Sequence, residues 1–286
     1  MTADTPTAAI VGLLPVKGAT LYYEQRGSGP VLVLVGCPMD ATAFAPLAER
    51  LADGHAVITT DPRGINRSVV DDPDHDVTPE MLADDLARLL DHLGSGPAAI
   101  FGSSGGAVTA LAFAQAHPHL VHTVIAHEPP LDELLDDREQ LRVETEDIVA
   151  MYLAGDTAGA WAKFLAQANI VMSDDELAGW PDEPDPQAAA DEGFFFAHTL
   201  RPSTYWKPDL AKLRNGATRI VVGVGNASTG QSCDRTSQAL ATALTLDRVG
   251  FVGGHIGFVE HTDDFARQLL AALSPPQPTS NIADRS

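Results

Sequence analysis

The segment Phe101-Gly102-Ser103-Ser104-Gly105-Gly106 constrains this chain more than any other. It holds a Gly-x-Ser-x-Gly pattern centred on Ser104. An apolar run, Ala98 to Phe101, precedes it, and an Ala-rich amphipathic segment, Ala107 to Ala116, follows. That order predicts a strand, a sharp turn and a helix. A serine at such a turn has its hydroxyl pushed out of the fold, where it can attack a carbonyl. Gly102 and Gly106 allow the tight backbone approach the turn requires. The amide of Gly105 can point at a developing oxyanion, and the start of the helix adds favourable polarity there. Ser103 lacks the same glycine frame. A plain Ser/Gly turn is the bland alternative.

The flanks place this turn in a repeating pattern. Ile10 to Val16 and Leu21 to Gln25 read as two early strands. Val31 to Val35 is almost all branched apolar residues, as in a strand buried on both faces. Ala43 to Leu51 is a helix candidate and Ala56 to Thr60 the next strand. Thr78-Pro79-Glu80 starts a helix with a threonine cap and a first-turn proline. Its apolar stripe runs through Leu82, Leu86, Leu89 and Leu93. Val121 to Ala126 is a further strand. The alternation predicts an α/β fold: a mostly parallel sheet of eight strands with helices on both faces.

After Pro129-Pro130 the rhythm changes. Residues 131–153, 157–169 and 188–199 read as helices, divided by a Pro-rich acidic link from Trp180 to Pro186. Strands return at Arg219 to Val224 and Leu246 to Val252. Helices follow at about 234–244 and 261–273. The expected organisation is a core of residues 1–128 and 201–275. A helical lid, residues 129–200, is inserted after the sixth strand, and residues 276–286 form a flexible tail.

The formal charge of -21 repels polyanions, so neither nucleic acid nor an anionic membrane surface is an expected partner. No apolar stretch approaches the roughly 20 residues that span a bilayer. The N-terminus lacks a signal-peptide core. Cys37 and Cys233 form no metal-ligand spacing. A cytoplasmic monomer or homodimer, with a small-molecule substrate and no cofactor or metal, is the expectation. Gly223-x-Gly225 follows a strand but lacks the remaining spacing of a dinucleotide site.

A serine hydroxyl needs a base. Of the ten histidines, His255 stands out. It lies in Gly253-Gly254-His255-Ile256-Gly257, after a strand and before the final helix. Glycines on both sides let the loop place an imidazole over the carboxyl ends of the strands. Imidazole accepts and returns protons near neutral pH. The loop Gly36-Cys37-Pro38-Met39 follows the third strand. It offers the Cys37 amide as a second oxyanion donor, since Pro38 has no N–H. The Cys37 side chain faces either this pocket or the apolar core.

These pieces, in this order, resemble the α/β-hydrolase superfamily. Gly102 to Gly106 looks like its nucleophile elbow, Gly36-Cys37 like its oxyanion loop and Gly254-His255 like its terminal histidine loop. Asp61-Pro62-Arg63-Gly64-Ile65-Asn66-Arg67-Ser68 resembles the Asp-x-Arg-Gly-x-Gly-x-Ser stretch of the esterase, lactonase, cofactor-free haloperoxidase and C–C hydrolase branches. Asn66 replaces the second glycine, which is tolerable because Asn also enters left-handed conformations. The resemblance spans about residues 10 to 273. It implies hydrolysis through an acyl-enzyme.

One part of that pattern is missing. The position of the usual triad aspartate, after the strand Arg219 to Val224, is occupied by Ser228. Asp234 is the nearest acid beyond it. Glu128 ends the strand Val121 to Ala126 next to the nucleophile helix. It resembles the relocated acid of one branch of haloalkane dehalogenases. The carry-over is of layout only, because those enzymes use an aspartate where this chain has Ser104. The expected constellation is Ser104, His255 and Glu128, with Asp234 as the competing acid and with oxyanion amides from Cys37 and Gly105. His127, Met39, Trp161 and Phe195 are candidate pocket residues. The lid aromatics serve equally well as the lid's own packing core.

The expected activity is hydrolysis of an ester or lactone of a small to medium, largely apolar substrate. C–C bond hydrolysis, perhydrolysis and acyl cyclisation would use the same triad. A non-catalytic binding protein on a degenerate hydrolase fold is the remaining alternative.

Overall fold

In Val31–Val35, successive side chains leave the strand on opposite sides, as pleating requires. Val33 and Val35 enter one apolar cluster, while Leu32 and Leu34 enter another. The same split separates Ile100 from Phe101, Val124 from Ile125, and Val222 from Val221. These central strands are therefore buried on both faces, which is why they read as continuous apolar runs. The computed structural model describes residues 9–170 and 185–274. Most of the Trp180 to Pro186 link and the 276–286 tail lie outside the described residues.

The strands are β1 (Ile10–Val16), β2 (Ala19–Arg26), β3 (Val31–Val35), β4 (Ala56–Thr60), β5 (Val69–Val70), β6 (Ala98–Ser103), β7 (Val121–His127), β8 (Arg219–Gly225) and β9 (Arg248–Phe251). Their order across the sheet is β1-β2-β4-β3-β6-β7-β8-β9, with β5 paired to β2. β1 and β2 pair antiparallel, as do β2 and β4, and the run from β4 to β9 is parallel. The sequence predicts eight strands. The ninth, β5, has only two residues and leaves no periodicity to detect. The helical insertion consequently follows the seventh strand.

Helices α1 (Ala41–Leu51), α2 (Pro79–His92) and α3 (Gly105–Ala116) connect the central strands. In α2, Thr78 caps the first turn by accepting a hydrogen bond from the Met81 amide at 3.3 Å. Helix α3 is buried on nearly every side, so its composition is almost wholly small and apolar.

The insertion contains α4 (Arg138–Leu153), α5 (Thr157–Ala168) and α6 (Pro186–Phe194). A π-helical turn, Phe195–Thr199, continues from α6 into Leu200–Thr204. Ile148, Val149, Ala160, Phe195, Phe196 and Leu200 form a small core of their own within it.

The sheet order reverses direction at β3, which has β4 on one side and β6 on the other. Open α/β sheets bind ligands at the carboxyl ends of strands beside such a switch point. The loop after β3 and the turn after β6 meet there. A Cβ on Gly106 would overlap the Val35 carbonyl, and one on Gly102 would overlap the Gly106 carbonyl. Gly106→Ala is expected to destabilise the fold by about 3 kcal/mol, because two backbones cannot both retreat. Urea unfolding of the purified variant measures this.

Candidate active site

Ser104 stands between β6 and α3 with φ 57° and ψ -128°. This is a strained conformation for a residue with a side chain. The surroundings hold it. The Ser104 amide donates to the His127 carbonyl at 3.0 Å, and its own carbonyl accepts from the Ala107 amide at 2.9 Å. The elbow is therefore tied sideways to β7, the strand that carries Glu128.

Glu128 sits one residue past β7 and also has a positive φ, 51°. Its amide donates to Gly223 at 3.1 Å, which locks it against β8. The side chain is fully buried. One carboxylate oxygen, Oε1, accepts from the Gly225 amide at 2.7 Å. The other, Oε2, lies 2.5 Å from His255 Nδ1 and 3.1 Å from Cys233 Sγ. Burial works against the charge on this carboxylate. The hydrogen bond from His255, aided by the neighbouring imidazoles, outweighs burial and holds the carboxyl down at about 2.

The histidine loop is seated on the turn after β8. The Asn226 amide donates to Phe251 at 2.8 Å, and the Ala227 amide to Gly253 at 2.9 Å. Ser228, at the conventional acid position, is fully buried beside the Glu128 carboxylate. Its hydroxyl favours the charged form, although the geometry falls short of a hydrogen bond. Asp234 is committed elsewhere. It accepts from the Gly230 amide at 2.9 Å and forms an ion pair with Arg248.

Ser104, Glu128 and His255 line one cavity of about 120 Å³ beneath the helical insertion. Among the described residues, no hydrogen bond joins the Ser104 hydroxyl to His255. Such contacts commonly tighten only when substrate is bound. The Gly36–Met39 loop abuts the elbow, for a Cβ on Gly105 would lie 2.7 Å from the Cys37 carbonyl. Neither the Cys37 amide nor the Gly105 amide donates a hydrogen bond to a described residue.

The four candidate pocket residues lie elsewhere. His127 is wholly buried under the elbow, with Nδ1 3.1 Å from the Ser103 hydroxyl and its ring among Phe101, Phe251 and Phe265. Burial pushes its pKa down to about 4, so the ring is neutral near pH 7. Met39 packs on the core beside α1. Trp161 and Phe195 belong to the insertion's own aromatic core. The cavity wall instead uses Pro130, Phe164, Ile170 and Leu200, with Asp132, Gln167, Thr204, Ser232 and Cys233 supplying polar atoms. Sequence reasoning missed these because they come from four separate segments. Phe164 and Gln167 on α5, and Leu200 and Thr204 further on, are each spaced about one helical turn apart, the local signal present.

Two motif residues are structural. Arg63 is buried and forms a bidentate pair with Asp85 at 2.8 and 2.6 Å. Arg67 binds Asp61 and lies over the Tyr22 ring. Asn66 has φ 50°, the left-handed conformation its glycine-like position requires.

The sequence shows no metal-ligand spacing, yet folding brings ligand-type atoms of Glu128, Cys233 and His255 within 4.8 Å of one another. In this arrangement they satisfy one another by hydrogen bonds. The Cys37 side chain turns into an apolar cluster with Val77 and Leu82 rather than toward the cavity. Burial pushes its thiol up to about 12. Burial and the Glu128 charge push the Cys233 thiol up as well. Both thiols are therefore expected to resist iodoacetamide at pH 7.5 in the folded protein and to react once it is denatured, since the thiolate is the nucleophile. Intact-mass spectrometry reads this directly.

Residues 29–167 match the family described as the alpha/beta hydrolase fold. The chain is 30% identical over 273 residues to the protein named "Uncharacterized hydrolase YraK" of Bacillus subtilis (strain 168), covering 90% of this chain and 94% of that one. This chain belongs to the α/β-hydrolase family and is an enzyme of that class. It is also 29% identical over 265 residues to a zearalenone hydrolase of Bionectria ochroleuca, covering 89% and 94% of the two chains. Among solved structures, a hydrolase from Pseudomonas aeruginosa PA01 superposes with a TM-score of 0.70 at 20% identity, covering 93% of this chain and 98% of that one. No described helix is long and apolar enough to cross a membrane.

Proposed function

We propose that this protein is a serine hydrolase that cleaves esters or lactones of largely apolar small molecules through an acyl-enzyme. The observation that carries this reading is the 2.5 Å hydrogen bond between His255 Nδ1 and the buried Glu128 carboxylate, inside the cavity that Ser104 also lines. A proton held on Nδ1 leaves Nε2 as the free base. His255 takes the Ser104 proton as the hydroxyl attacks the carbonyl carbon. The amides of Cys37 and Gly105 receive the oxyanion, assisted by the positive end of α3.

His255 then gives the proton to the leaving oxygen, and the carbonyl reforms as the acyl-enzyme. Water repeats the sequence and releases the acid. Glu128 stays ionised throughout and stabilises the imidazolium. Residues 129–200 act as a lid that supplies the apolar wall. The hydrolase names of the relatives and the largely apolar lining support the substrate class.

A fluorophosphonate probe is expected to add once per chain, on Ser104, with parallel loss of activity on short-chain aryl esters. Soluble, folded protein that fails to take the probe would overturn the reading. Comparison of aryl esters, lactones and vinylogous diketones as substrates separates acyl hydrolysis from C–C cleavage.

A further inference from the structure

Asp132 is buried to about nine-tenths, lines the cavity of Ser104 and His255, and accepts no hydrogen bond on its carboxylate from any described residue. It follows Pro129-Pro130-Leu131 and opens a short 3-10 turn, so its backbone is fixed close to Glu128. Arg235 is the cation whose charge reaches it, but that guanidinium donates at 2.7 and 2.8 Å to both carboxylate oxygens of Asp137. The other polar lining groups are largely occupied. Gln167 donates to the Leu141 carbonyl and the Thr145 hydroxyl, Thr204 to the Leu200 carbonyl, and Cys233 to Glu128. Ser232 is only half-buried.

A buried polar group without a partner costs free energy, and a ligand donor would recover it. We propose that Asp132 is a specificity-determining residue that accepts a hydrogen bond from a hydroxyl carried by an otherwise apolar ester or lactone. This rests on the reading of the cavity as the substrate site.

The commitment to a hydroxyl, rather than an ammonium group, has a physical reason. Burial, with Asp137 nearby, raises the Asp132 carboxyl to about 7 despite the opposing charge of Arg235. A cation would need the ionised form. A hydroxyl can donate to a carboxyl oxygen in either form. The surrounding wall of Pro130, Phe164, Ile170 and Leu200 suits a neutral ligand.

The test reads binding, so it does not depend on turnover. Methyl esters of six-, eight- and ten-carbon ω-hydroxy acids are titrated calorimetrically into the Ser104→Ala protein, beside their ω-methoxy and ω-amino counterparts. One chain length is expected to bind about tenfold more tightly as the hydroxy than as the methoxy ester, the scale of one hydrogen bond to a buried acceptor. Adding Asp132→Leu should abolish that preference. At about pH 8.5, where the Asp132 carboxyl is ionised, Asp132→Asn, of the same shape, should lower it at least threefold, because a neutral amide oxygen accepts more weakly than a carboxylate.

Equal affinity for hydroxy and methoxy esters at every length overturns the proposal. So does tighter binding of the amino ester, or a preference that survives in both Asp132 variants. Failure of the hydrolase reading would appear separately, as wild-type protein that binds these esters without cleaving them.

Discussion

Replacing Ser104 by alanine is expected to lower kcat on an aryl ester by about six orders of magnitude, with little change in thermal stability. The size follows from the role. Without the hydroxyl there is no acyl-enzyme, and loss of a serine nucleophile from such a site removes roughly that factor. Residual turnover over water of roughly a thousandfold would reflect the oxyanion amides and substrate positioning. The helix start and both amides are backbone features, so the variant keeps them. The change also relieves nothing at φ 57°, because alanine is strained there as serine is. A fall of less than a hundredfold would point to a different nucleophile.

Changing Glu128 to glutamine is expected to lower kcat by about ten thousandfold. Glutamine keeps the shape but not the charge. Its amide can present N–H to His255 Nδ1 and so favour the unproductive tautomer. The imidazolium formed in the transition state would also lose its counter-charge. Asp234→Asn should keep near-wild-type activity, since Asp234 is engaged by Arg248 and the Gly230 amide. The reverse result, loss in Asp234→Asn but not in Glu128→Gln, would reassign the acid.

A stability signature accompanies the substitution. The Glu128 carboxyl is held at about 2, below the ordinary value of 4.5. In that interval the folded state binds fewer protons than the unfolded chain. The stabilisation from this carboxylate is thus complete above about pH 4.5 and lost as pH falls toward 2. Glu128→Gln should flatten this part of the acid-unfolding profile, which circular dichroism against pH would show.

The same carboxylate shows where reading the sequence stops. The pairing of strand and helix around Ser104 was legible because each element carries its own period and the turn carries glycines. The His255 loop was legible for the same local reason. The pocket was not. Trp161 and Phe195 looked like pocket residues by composition, but an aromatic side chain on an inserted helix gains as much by packing on its neighbours as by facing a ligand. His127, the last residue of β7, packs its ring among Phe101, Phe251 and Phe265, whereas Glu128, one residue past the strand with a positive φ, reaches His255.

Asp132 and Cys233 carried no motif. Cys233 meets Glu128 across 105 residues, and His255 meets it across 127. By itself, the sequence determined most of the elements, though not the two-residue β5, together with their order and the strained turn that presents Ser104, because these follow from interactions within a few residues. Only the tertiary structure decided which carboxylate reaches His255 and which acid in the cavity has no hydrogen-bond partner for its carboxylate among the described residues. Those outcomes depend on strands and loops that meet through the sheet, and no local period records such meetings.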